Sequence, residues 1–549
     1  MSLEQSSPPF HSAFKTSLIT IFIYIATTGI ASASDKNPNP CDDLTSSSSS
    51  YKTTISILTR LQNHKNITQF MNSFDKHSYT IIFLHGGMGS ELKQTIQKFD
   101  ASLDPIEYEF KSSELWLNYV QVLLGGSARQ LRIDDQKRDY NRKIIIADSA
   151  VKAPLVKPYK KAQNCFRNQF KFNTYFLAWD TRRDLTVAVN ELRSIVELIK
   201  REHSYYDLNK LFIVGHSFGG IVAKLFLETN QDLANEIGGM ISVGTPFYGY
   251  LGQLNRIFNG EPLLNNKGPI LNKYTAKEMA GIISSFPAFY TVLPIDAKTF
   301  EETWGQCKGQ EDRPFWCQYW PKNYPFTYPV TDPQSQGNVV ADAYRTAPDK
   351  YPGWVRKDMF EDGILKAALK LRRCLAKPFP ECPETHPKCL KTKVHHIRSK
   401  ISDSTPWIAE WNQKLPPNYD PDKHPSPIKI GRMGEGDGTI PYWSAALTST
   451  PPNNIHDIDG PHMTLMTKNS VLRSIYNIVT DAPPSSQLSE EDVGVRCGDD
   501  LQPMATREEL EEELKQLDNI YSAVKEQKTP PLFWLSRAAQ WRLIQELAM

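Results

Sequence analysis

The stretch that decides the fold runs from Lys210 to Glu228 and reads KLFIVGHSFGGIVAKLFLE. Residues 211–214 are apolar, β-branched or aromatic, which is typical of a short buried strand. From Ile221 onward the apolar side chains fall at helical spacing. A Gly-x-Ser-x-Gly string lies between the two patterns, and its glycines permit a very tight turn. The stretch therefore predicts a strand, a sharp turn and a helix in succession.

Other segments repeat this alternation. Short apolar runs at Tyr79–Leu84, Thr174–Trp179 and Met240–Val243 predict buried strands, and the apolar spacing between Leu185 and His203 predicts a helix. Strands that alternate with helices indicate an α/β fold with a mostly parallel central sheet that is covered on both faces. In such folds the functional residues lie at the carboxyl ends of the strands.

The alternation is lost from about Tyr248 to Pro425, where prolines, aromatic residues and most of the cysteines gather. This composition predicts a large cap insertion. Ile428–Ile430 is expected to resume the sheet, and Ile455–Ile458 is expected to be its last strand. Inside the insertion, an aromatic cluster that contains Trp316 and Trp320 either lines a pocket for acyl chains or packs in loops stapled by cystines.

The N-terminus carries an apolar run from Ser17 to Ile30, preceded by Lys15 and followed by Ala31-Ser32-Ala33. This pattern is typical of a signal peptide, which we expect to be cleaved after Ala33. The run is shorter than the ~20 residues of a spanning helix, so an uncleaved membrane anchor is the alternative. The protein is therefore expected to be secreted or to reside in a periplasm or a secretory or lysosomal lumen.

The eight cysteines form an even set, which suits disulfide bonding in an exported chain, although the sequence leaves their connectivity open. Because no Cys-x-x-Cys pair is present to seed a zinc site, we predict neither a metal nor another cofactor. The formal net charge of +2 provides no strong positive field, so nucleic acid is not an expected partner. The sequence does not indicate an oligomeric state.

Ser217, at the centre of the predicted turn, is the candidate nucleophile. A serine hydroxyl reacts at neutral pH only when a histidine takes its proton and a carboxylate orients that histidine. When a Gly-x-Ser-x-Gly turn follows a strand and opens a helix, these partners follow in the order serine, acid, histidine. One oxyanion donor is then the backbone N–H of the next residue, Phe218, and the glycine-rich loop His85–Gly89 is a candidate for the other.

His462 is the candidate base, because it follows the predicted last strand on a loop, whereas His456 lies within that strand and is interpreted as structural. Asp437 is the candidate acid, because it follows the strand expected at Ile428 and is flanked by glycines. A simple Asp-Gly turn is the alternative for this residue. Asp457 and Asp459 are too near His462 in sequence to be better acids.

These residues resemble the lecithin:cholesterol acyltransferase and lysosomal phospholipase A2 family, a group of lipases with the α/β-hydrolase fold. The matching stretches are Leu84–Ser90, Gly215–Gly220, Ser242–Pro246, Ser285–Pro294 and Gly436–Pro441. The resemblance implies that Asp437 and His462 are acid and base, that Gly87 and Phe218 are the oxyanion donors, and that the insertion caps an acyl-chain site. Leu84-His85-Gly86 departs from the family's usual Val-Pro-Gly, and Phe247-Tyr248-Gly249 departs from its aromatic-Gly-Gly, which indicates a remodelled cap.

The leading hypothesis is an exported serine hydrolase or acyltransferase that acts on lipid acyl esters at a membrane or lipoprotein surface. Two alternatives stay open: a deacylase of other esters, such as lipid-anchored substrates, and a binding protein that keeps the fold without turnover. The predicted divisions are a signal peptide (1–33), a flexible polar lead-in (34–50), the first part of the hydrolase core (51–247), the cap (248–425), the second part of the core (426–497) and a helical tail (498–549).

Overall fold

The computed structural model describes residues 66–87, 89–96, 111–116, 131–133, 144–150, 158–259, 276–293, 371, 374–375, 393–411, 428–447 and 450–498. The predicted signal peptide, Trp316 and Trp320, and the tail beyond Gly498 lie outside these ranges. None of the described helices is both long and apolar enough to cross a membrane.

Strands of the described residues form three sheets. They are β1 (Thr80–Leu84), β2 (Ser90–Ile96), β3 (Lys111–Trp116), β4 (Ile144–Ala150), β5 (Asn173–Leu177), β6 (Leu211–His216), β7 (Gly239–Val243), β8 (Lys393–Ser399), β9 (Ile401–Trp411), β10 (Ile428–Gly436) and β11 (Ile455–Ile458). Strands β2, β3 and β4 form one antiparallel sheet, and β9 and β10 form another.

The central sheet has six strands in the order β11-β8-β7-β6-β1-β5, and every neighbouring pair is parallel. All residues of β1, β6 and β7 are buried, as expected for strands covered on both faces. The strands predicted at Tyr79, Thr174, Lys210, Met240 and Ile455 are all in this sheet. A mostly parallel sheet flanked by helices is the α/β-hydrolase arrangement that the sequence predicts.

One strand prediction was wrong. Ile428–Ile430 lies in β10, which pairs antiparallel with β9 outside the central sheet. The central sheet resumes instead at β8, which pairs with β7 and lies inside the stretch predicted as insertion. Its sequence, KVHHIRS, lacks an apolar run because His396 and Arg398 are buried among polar partners.

Helices cover both faces of this sheet, and nine α-helices lie wholly within the described ranges. They are α1 (Pro158–Asn164), α2 (Leu185–Glu202), α3 (Phe218–Thr229), α4 (Gln231–Ala234), α5 (Leu251–Asn259), α6 (Ala276–Ile283), α7 (Pro287–Tyr290), α8 (Asn469–Thr480) and α9 (Glu490–Cys497). Alternate residues of β1 face opposite sides, with Ile82 and Leu84 in the cluster of α2 and α3, and Ile81 and Phe83 in the cluster of α1 and α8. The central sheet is thus the middle of three layers.

A disulfide between Cys165 and Cys497 joins the π-helical turn after α1 to the end of α9, across 332 residues of sequence. Cys374 is also disulfide-bonded. The prediction of disulfides is therefore confirmed for the cysteines within the described ranges. The pairing of Cys165 with Cys497 fixes α9 against the layer that contains α1.

Candidate active site

Ser217 occupies the sharp turn between β6 and α3, at the carboxyl end of a central strand. Its backbone has φ 52° and ψ −122°, a strained conformation for a residue with a side chain. The turn requires Gly219, because a methyl group there would overlap the carbonyl of Leu84 on β1. The Ser217 N–H donates to the carbonyl of Val243 at 2.9 Å. The predicted strand, turn and helix are thus present, with Ser217 at the turn.

His462 begins the 3₁₀-helical turn that follows β11 and the Gly460-Pro461 pair. Its Nε2 lies 3.0 Å from Ser217 Oγ, and its Nδ1 lies 2.6 Å from Asp437 Oδ2. A carboxylate only accepts hydrogen bonds, so Nδ1 has the proton and Nε2 is free to accept from the Ser217 hydroxyl. The structure therefore brings the three predicted residues into one hydrogen-bonded line.

Asp437 is held in a tight turn directly after β10. Its Oδ1 accepts the backbone N–H groups of Thr439 at 2.9 Å and Ile440 at 2.6 Å, which leaves Oδ2 directed at His462. From β9, the hydroxyl of Thr405 accepts the N–H of Gly438 at 2.9 Å. Asp437 was predicted to follow a strand of the central sheet. It follows β10 of the separate two-stranded sheet instead.

The other candidates for acid and base have different partners. Asp457 pairs with the Arg398 guanidinium at 2.7 Å and accepts from the Tyr442 hydroxyl at 2.6 Å. His456 lies on β11, and its ring stacks on that of His395. Asp459 is exposed. These contacts place both Asp457 and His456 in the packing of β8 and β11.

The backbone of two segments lies beside the nucleophile, at Phe218 and at Gly86. Phe218 is the first residue of α3, where a helix leaves its N–H groups without intrahelical acceptors. Gly86 lies against Ser217, because a Cβ atom on Gly86 would be 2.8 Å from Ser217 Cβ. The Gly86 carbonyl accepts from Gly89 N–H at 3.2 Å and from His85 Nδ1 at 2.7 Å. Since a trans peptide opposes its C=O and N–H, the N–H of Gly87 points away from these donors.

The side chain of His85 fixes this glycine-rich loop through hydrogen bonds to Gly86, Ser90 and Trp179. Its Nε2 accepts the Trp179 N–H at 3.1 Å and also contacts the Ser90 hydroxyl. Burial lowers the pKa of His85 to about 4, so the ring stays neutral at physiological pH. With Nε2 as an acceptor, Nδ1 is the donor to the Gly86 carbonyl. The sequence places His85 in the candidate oxyanion loop, but it gives no signal for the contacts of this side chain with Ser90 and Trp179.

Aromatic side chains flank the nucleophile. The ring of Phe289 on α7 packs edge-on against Phe218 at 5.5 Å, and Phe286 packs edge-on against Phe289 at 5.3 Å. All three rings are buried. Phe218 belongs to the turn at Ser217, Gly215–Gly220, which we call the elbow, and the other two belong to the Ser285–Pro294 stretch. Trp316 and Trp320, the predicted substrate-binding residues, lie outside the described ranges. Within those ranges, no group of three or more histidine, cysteine or acidic side chains is arranged to hold a metal ion.

Comparison with known proteins supports the predicted relationship. Residues 158–340 match the sequence model of the family "Lecithin:cholesterol acyltransferase". Over this third of its length, the chain resembles that family. The matched segment includes α1, the elbow with Ser217, and α7, and it ends before Asp437 and His462. The family match supports an enzyme that hydrolyses or transfers the acyl esters of lipids.

The solved structures that are similar to the chain include two at 12% sequence identity. "The crystal structure of Tle4-Tli4 complex" matches 74% of this chain and 100% of its own, with a TM-score of 0.40. The mature form of the Bacillus licheniformis lipase BlEst2 matches 74% of this chain and 93% of its own, with a TM-score of 0.31. No curated protein matches the sequence significantly.

Proposed function

We propose that the protein is an exported serine hydrolase or acyltransferase that acts on lipid acyl esters through Ser217, His462 and Asp437. The observation that carries this proposal is the line of two hydrogen bonds, 3.0 Å from Ser217 to His462 and 2.6 Å from His462 to Asp437. The line meets the geometric requirement for an activated nucleophile, in which the base is itself oriented by a third group.

In the first half-reaction, Ser217 Oγ attacks the ester carbonyl carbon while its proton moves to His462 Nε2. The carbonyl oxygen becomes an oxyanion, and the N–H groups of Phe218 and Gly87 are the proposed donors to it. The intermediate collapses as His462 returns the proton to the leaving alcohol oxygen. The products of this step are the free alcohol and an acyl group esterified to Ser217.

In the second half-reaction, water or a lipid alcohol attacks the acyl-enzyme and gives its proton to His462. Collapse of this second intermediate returns the proton to Ser217 Oγ and releases a fatty acid or a new ester. Throughout, the Asp437 carboxylate holds the Nδ1 proton and stabilises the imidazolium. Because two backbone N–H groups fix this carboxylate, little reorganisation is needed when the charge on His462 appears.

The lipid character of the substrate rests on the family match and on the aromatic wall beside the nucleophile. Ser217 is only 6% exposed, and the buried rings of Phe218, Phe289 and Phe286 pack in succession next to it, which gives an apolar environment that suits an acyl chain. Export is supported by the N-terminal pattern of the sequence and by the disulfide of Cys165 and Cys497. We place the substrate at a membrane or lipoprotein surface.

The first experiment compares the wild-type protein with Ser217→Ala on mixed vesicles of phospholipid and sterol, with lipid products resolved by mass spectrometry. We expect the wild type to release fatty acid or form a sterol ester, and Ser217→Ala to do neither while keeping its circular dichroism spectrum. Products from Ser217→Ala at the wild-type rate would move the nucleophile elsewhere. A folded wild type that acts on no ester would favour a binding protein.

A second experiment tests the aromatic wall with Phe289→Ala and a matched control, Phe70→Ala. Both rings are buried, but Phe70 packs against Tyr175 and Phe74 instead of the elbow. We expect Phe289→Ala to lower turnover of a long-chain ester far more than that of p-nitrophenyl butyrate, because only the long chain loses apolar contact. Phe70→Ala should lower neither preferentially. Equal losses for both esters in Phe289→Ala would assign Phe289 to packing alone.

A further inference from the structure

A second chain of hydrogen bonds connects the backbone of Gly86 to the backbone of His462. The Gly86 N–H lies 2.8 Å from the Tyr159 hydroxyl, which lies 2.8 Å from His216 Nδ1, and His216 Nε2 lies 3.0 Å from the His462 carbonyl oxygen. Resting on the proposed function, we propose that Tyr159 and His216 are positioning residues that hold the oxyanion loop (His85–Gly89) in register with the base, His462.

Every proton in this chain has a defined place. A carbonyl only accepts, so His216 Nε2 is protonated, and in a neutral ring Nδ1 must then accept. The Tyr159 hydroxyl is therefore the donor to Nδ1. Its oxygen is left to accept from the Gly86 N–H, which can only donate. The chain thus runs in one direction from Gly86 to His462, and no member can turn without breaking a bond.

Burial keeps this pattern fixed. Tyr159 and His216 are only 5% and 4% exposed. Burial lowers the pKa of His216 well below its usual value, with a further contribution from the nearby His462, and burial raises the pKa of Tyr159. His216 therefore stays neutral and Tyr159 stays protonated at physiological pH. A loss of either hydrogen bond leaves a buried polar group unpaired.

At one end of the hydrogen-bond chain, Tyr159 fixes the loop that contributes the proposed oxyanion donor. Gly86 is fixed at its N–H by Tyr159 and at its carbonyl by Gly89 and His85. These bonds set the plane of the next peptide, whose N–H belongs to Gly87. Without the Tyr159 hydroxyl, only the carbonyl side of Gly86 remains fixed, so the direction of the Gly87 N–H is less defined.

At the other end of the hydrogen-bond chain, His216 donates a hydrogen bond to the backbone of His462. The His462 carbonyl accepts from His216, and the His462 N–H donates to the Asp437 carbonyl at 2.8 Å. The rings of His216 and His462 also lie 4.8 Å apart. Backbone and ring of His462 are thus positioned from two sides, by the acid turn and by the elbow.

Helix α1, which contains Tyr159, is itself tied to the base segment. Lys161 on the same helix donates to the Thr467 carbonyl and to Asn469 Oδ1, both at 2.8 Å. The disulfide of Cys165 fixes the turn that follows α1. The segment that contains His462 and the loop at Gly86 are therefore both hydrogen-bonded to α1.

Tyr206 offers a matched control, because its buried hydroxyl donates to Thr80 Oγ1 at 2.8 Å. Thr80 opens β1, whereas Gly86 lies just beyond the end of the same strand. Tyr159→Phe and Tyr206→Phe therefore delete equivalent hydroxyls at opposite ends of one strand. Both variants should lose comparable thermal stability. Only Tyr159→Phe should alter the chemistry.

The test compares turnover of p-nitrophenyl butyrate with that of its thionoester, in which sulfur replaces the carbonyl oxygen. Sulfur is a poor hydrogen-bond acceptor, so the kcat for the oxoester divided by the kcat for the thionoester reports on the oxyanion donors. We expect Tyr159→Phe to lower kcat for the oxoester by about 10- to 100-fold, with a smaller fall for the thionoester and little change in KM. Tyr206→Phe should leave the ratio at the wild-type value.

Equal falls for both esters in Tyr159→Phe, or no fall, would overturn the inference, because a general weakening of the fold lowers both rates alike. A wild type that hydrolyses no ester removes the proposed function and this inference together. If the wild type is active and Tyr159→Phe lowers both rates alike, the inference alone fails. If the wild type hydrolyses no ester, the proposed function fails. If Tyr159→Phe does not fold, His216→Leu replaces it, with His216→Gln as the conservative partner that still has an amide donor and acceptor.

We expect His216→Leu to lower the ratio and His216→Gln to restore part of it. Where both single variants fold, the double variant Tyr159→Phe/His216→Leu should lose no more than the worse single one, because both act through one chain. Additive losses in the double variant, or equal ratios for His216→Leu and His216→Gln, would contradict a shared positioning role.

Discussion

The nucleophile and the acid of the candidate site are held in different ways. Ser217 follows β6, a fully buried strand in the middle of the central sheet, and its turn is closed by backbone contacts to β1 and β7. Asp437 follows β10, which pairs with β9 in an irregular two-stranded sheet with three register shifts. The elbow is thus part of the core, whereas the acid turn is positioned by its own local hydrogen bonds.

Because of this difference, variants in the turn that contains Asp437 can alter catalysis with less effect on stability than variants in the elbow. A change to the backbone or the glycines of the elbow disturbs the sheet, so its effects on folding and on chemistry are difficult to distinguish. A change in the acid turn leaves the central sheet intact and alters the orientation of His462. Variants on the acid side are therefore the cleaner probes of mechanism, and each prediction below pairs a change at the site with a matched change elsewhere.

The largest effect is expected for Asp437→Asn. The asparagine keeps the shape of the turn but presents an amide to His462 Nδ1, which favours the wrong tautomer and should lower kcat by about 10⁴. Asp457→Asn is the matched control, since it breaks the ion pair with Arg398 at a distance from the serine. Ester turnover and thermal melting of both variants test this assignment. A greater loss of turnover in Asp457→Asn would exchange the roles of the two carboxylates.

A smaller loss is expected for Gly244→Ala, at the end of β7, where the two sides of the site meet. A Cβ atom there would lie 2.9 Å from Asp437 Oδ2 and 3.3 Å from His462 Nδ1, at φ +55°. Gly498→Ala is the matched control, because Gly498 also has a positive φ, +83°, and a Cβ atom there would have no other atom within 4 Å. Both variants incur backbone strain, but only Gly244→Ala should lower kcat, by about 10- to 100-fold. A kcat of wild-type size in folded Gly244→Ala would show that the acid and base tolerate displacement.

The smallest effect concerns stability on the serine side. His85 has a folded pKa of about 4, below the value of 6.5 expected in the unfolded chain. As the pH falls below 6.5, the unfolded chain therefore binds a proton that the folded protein does not. This contribution to stability is complete above pH 6.5 and is lost as the pH falls to about 4, by about 3 kcal/mol in total.

Urea unfolding of the wild type and of His85→Gln at pH 7, 5.5 and 4 measures this contribution. The glutamine does not titrate, so the stability advantage of the wild type should shrink as the pH falls. An advantage that stays constant over this range would mean that His85 is not held neutral by burial. Because His85 supports the oxyanion loop, activity lost on acidification should be regained on return to pH 7.

The elbow and most strands of the central sheet could be predicted from sequence because their signals are local. The apolar run before Ser217 and the glycines around it determine a strand and a turn within a few residues. Strand β8 escaped prediction because its polar residues are satisfied by distant partners: His396 pairs with Ser242 and Thr450, and Arg398 pairs with Asp457. Such long-range pairing leaves no regular pattern of apolar residues in the sequence from which the strand could be predicted.

The same distinction applies to the site. Ser217, Asp437 and His462 follow from a motif and from the order of residues along the chain. The sheet that supports Asp437 was misplaced, because its strand was assigned by position rather than by pairing. Tyr159 lies 57 residues before His216, and their contact has no motif or spacing to indicate it. Contacts that depend on packing between layers require the structure.

The central claim is that Ser217 is the nucleophile of a triad with His462 and Asp437. The most direct test is to label the folded, purified protein with a fluorophosphonate and locate the adduct by peptide mass spectrometry. We expect one adduct, on Ser217, that is absent in Ser217→Ala and forms far more slowly in Asp437→Asn. An adduct on a different residue, or no adduct on the folded wild-type protein, would contradict the assignment.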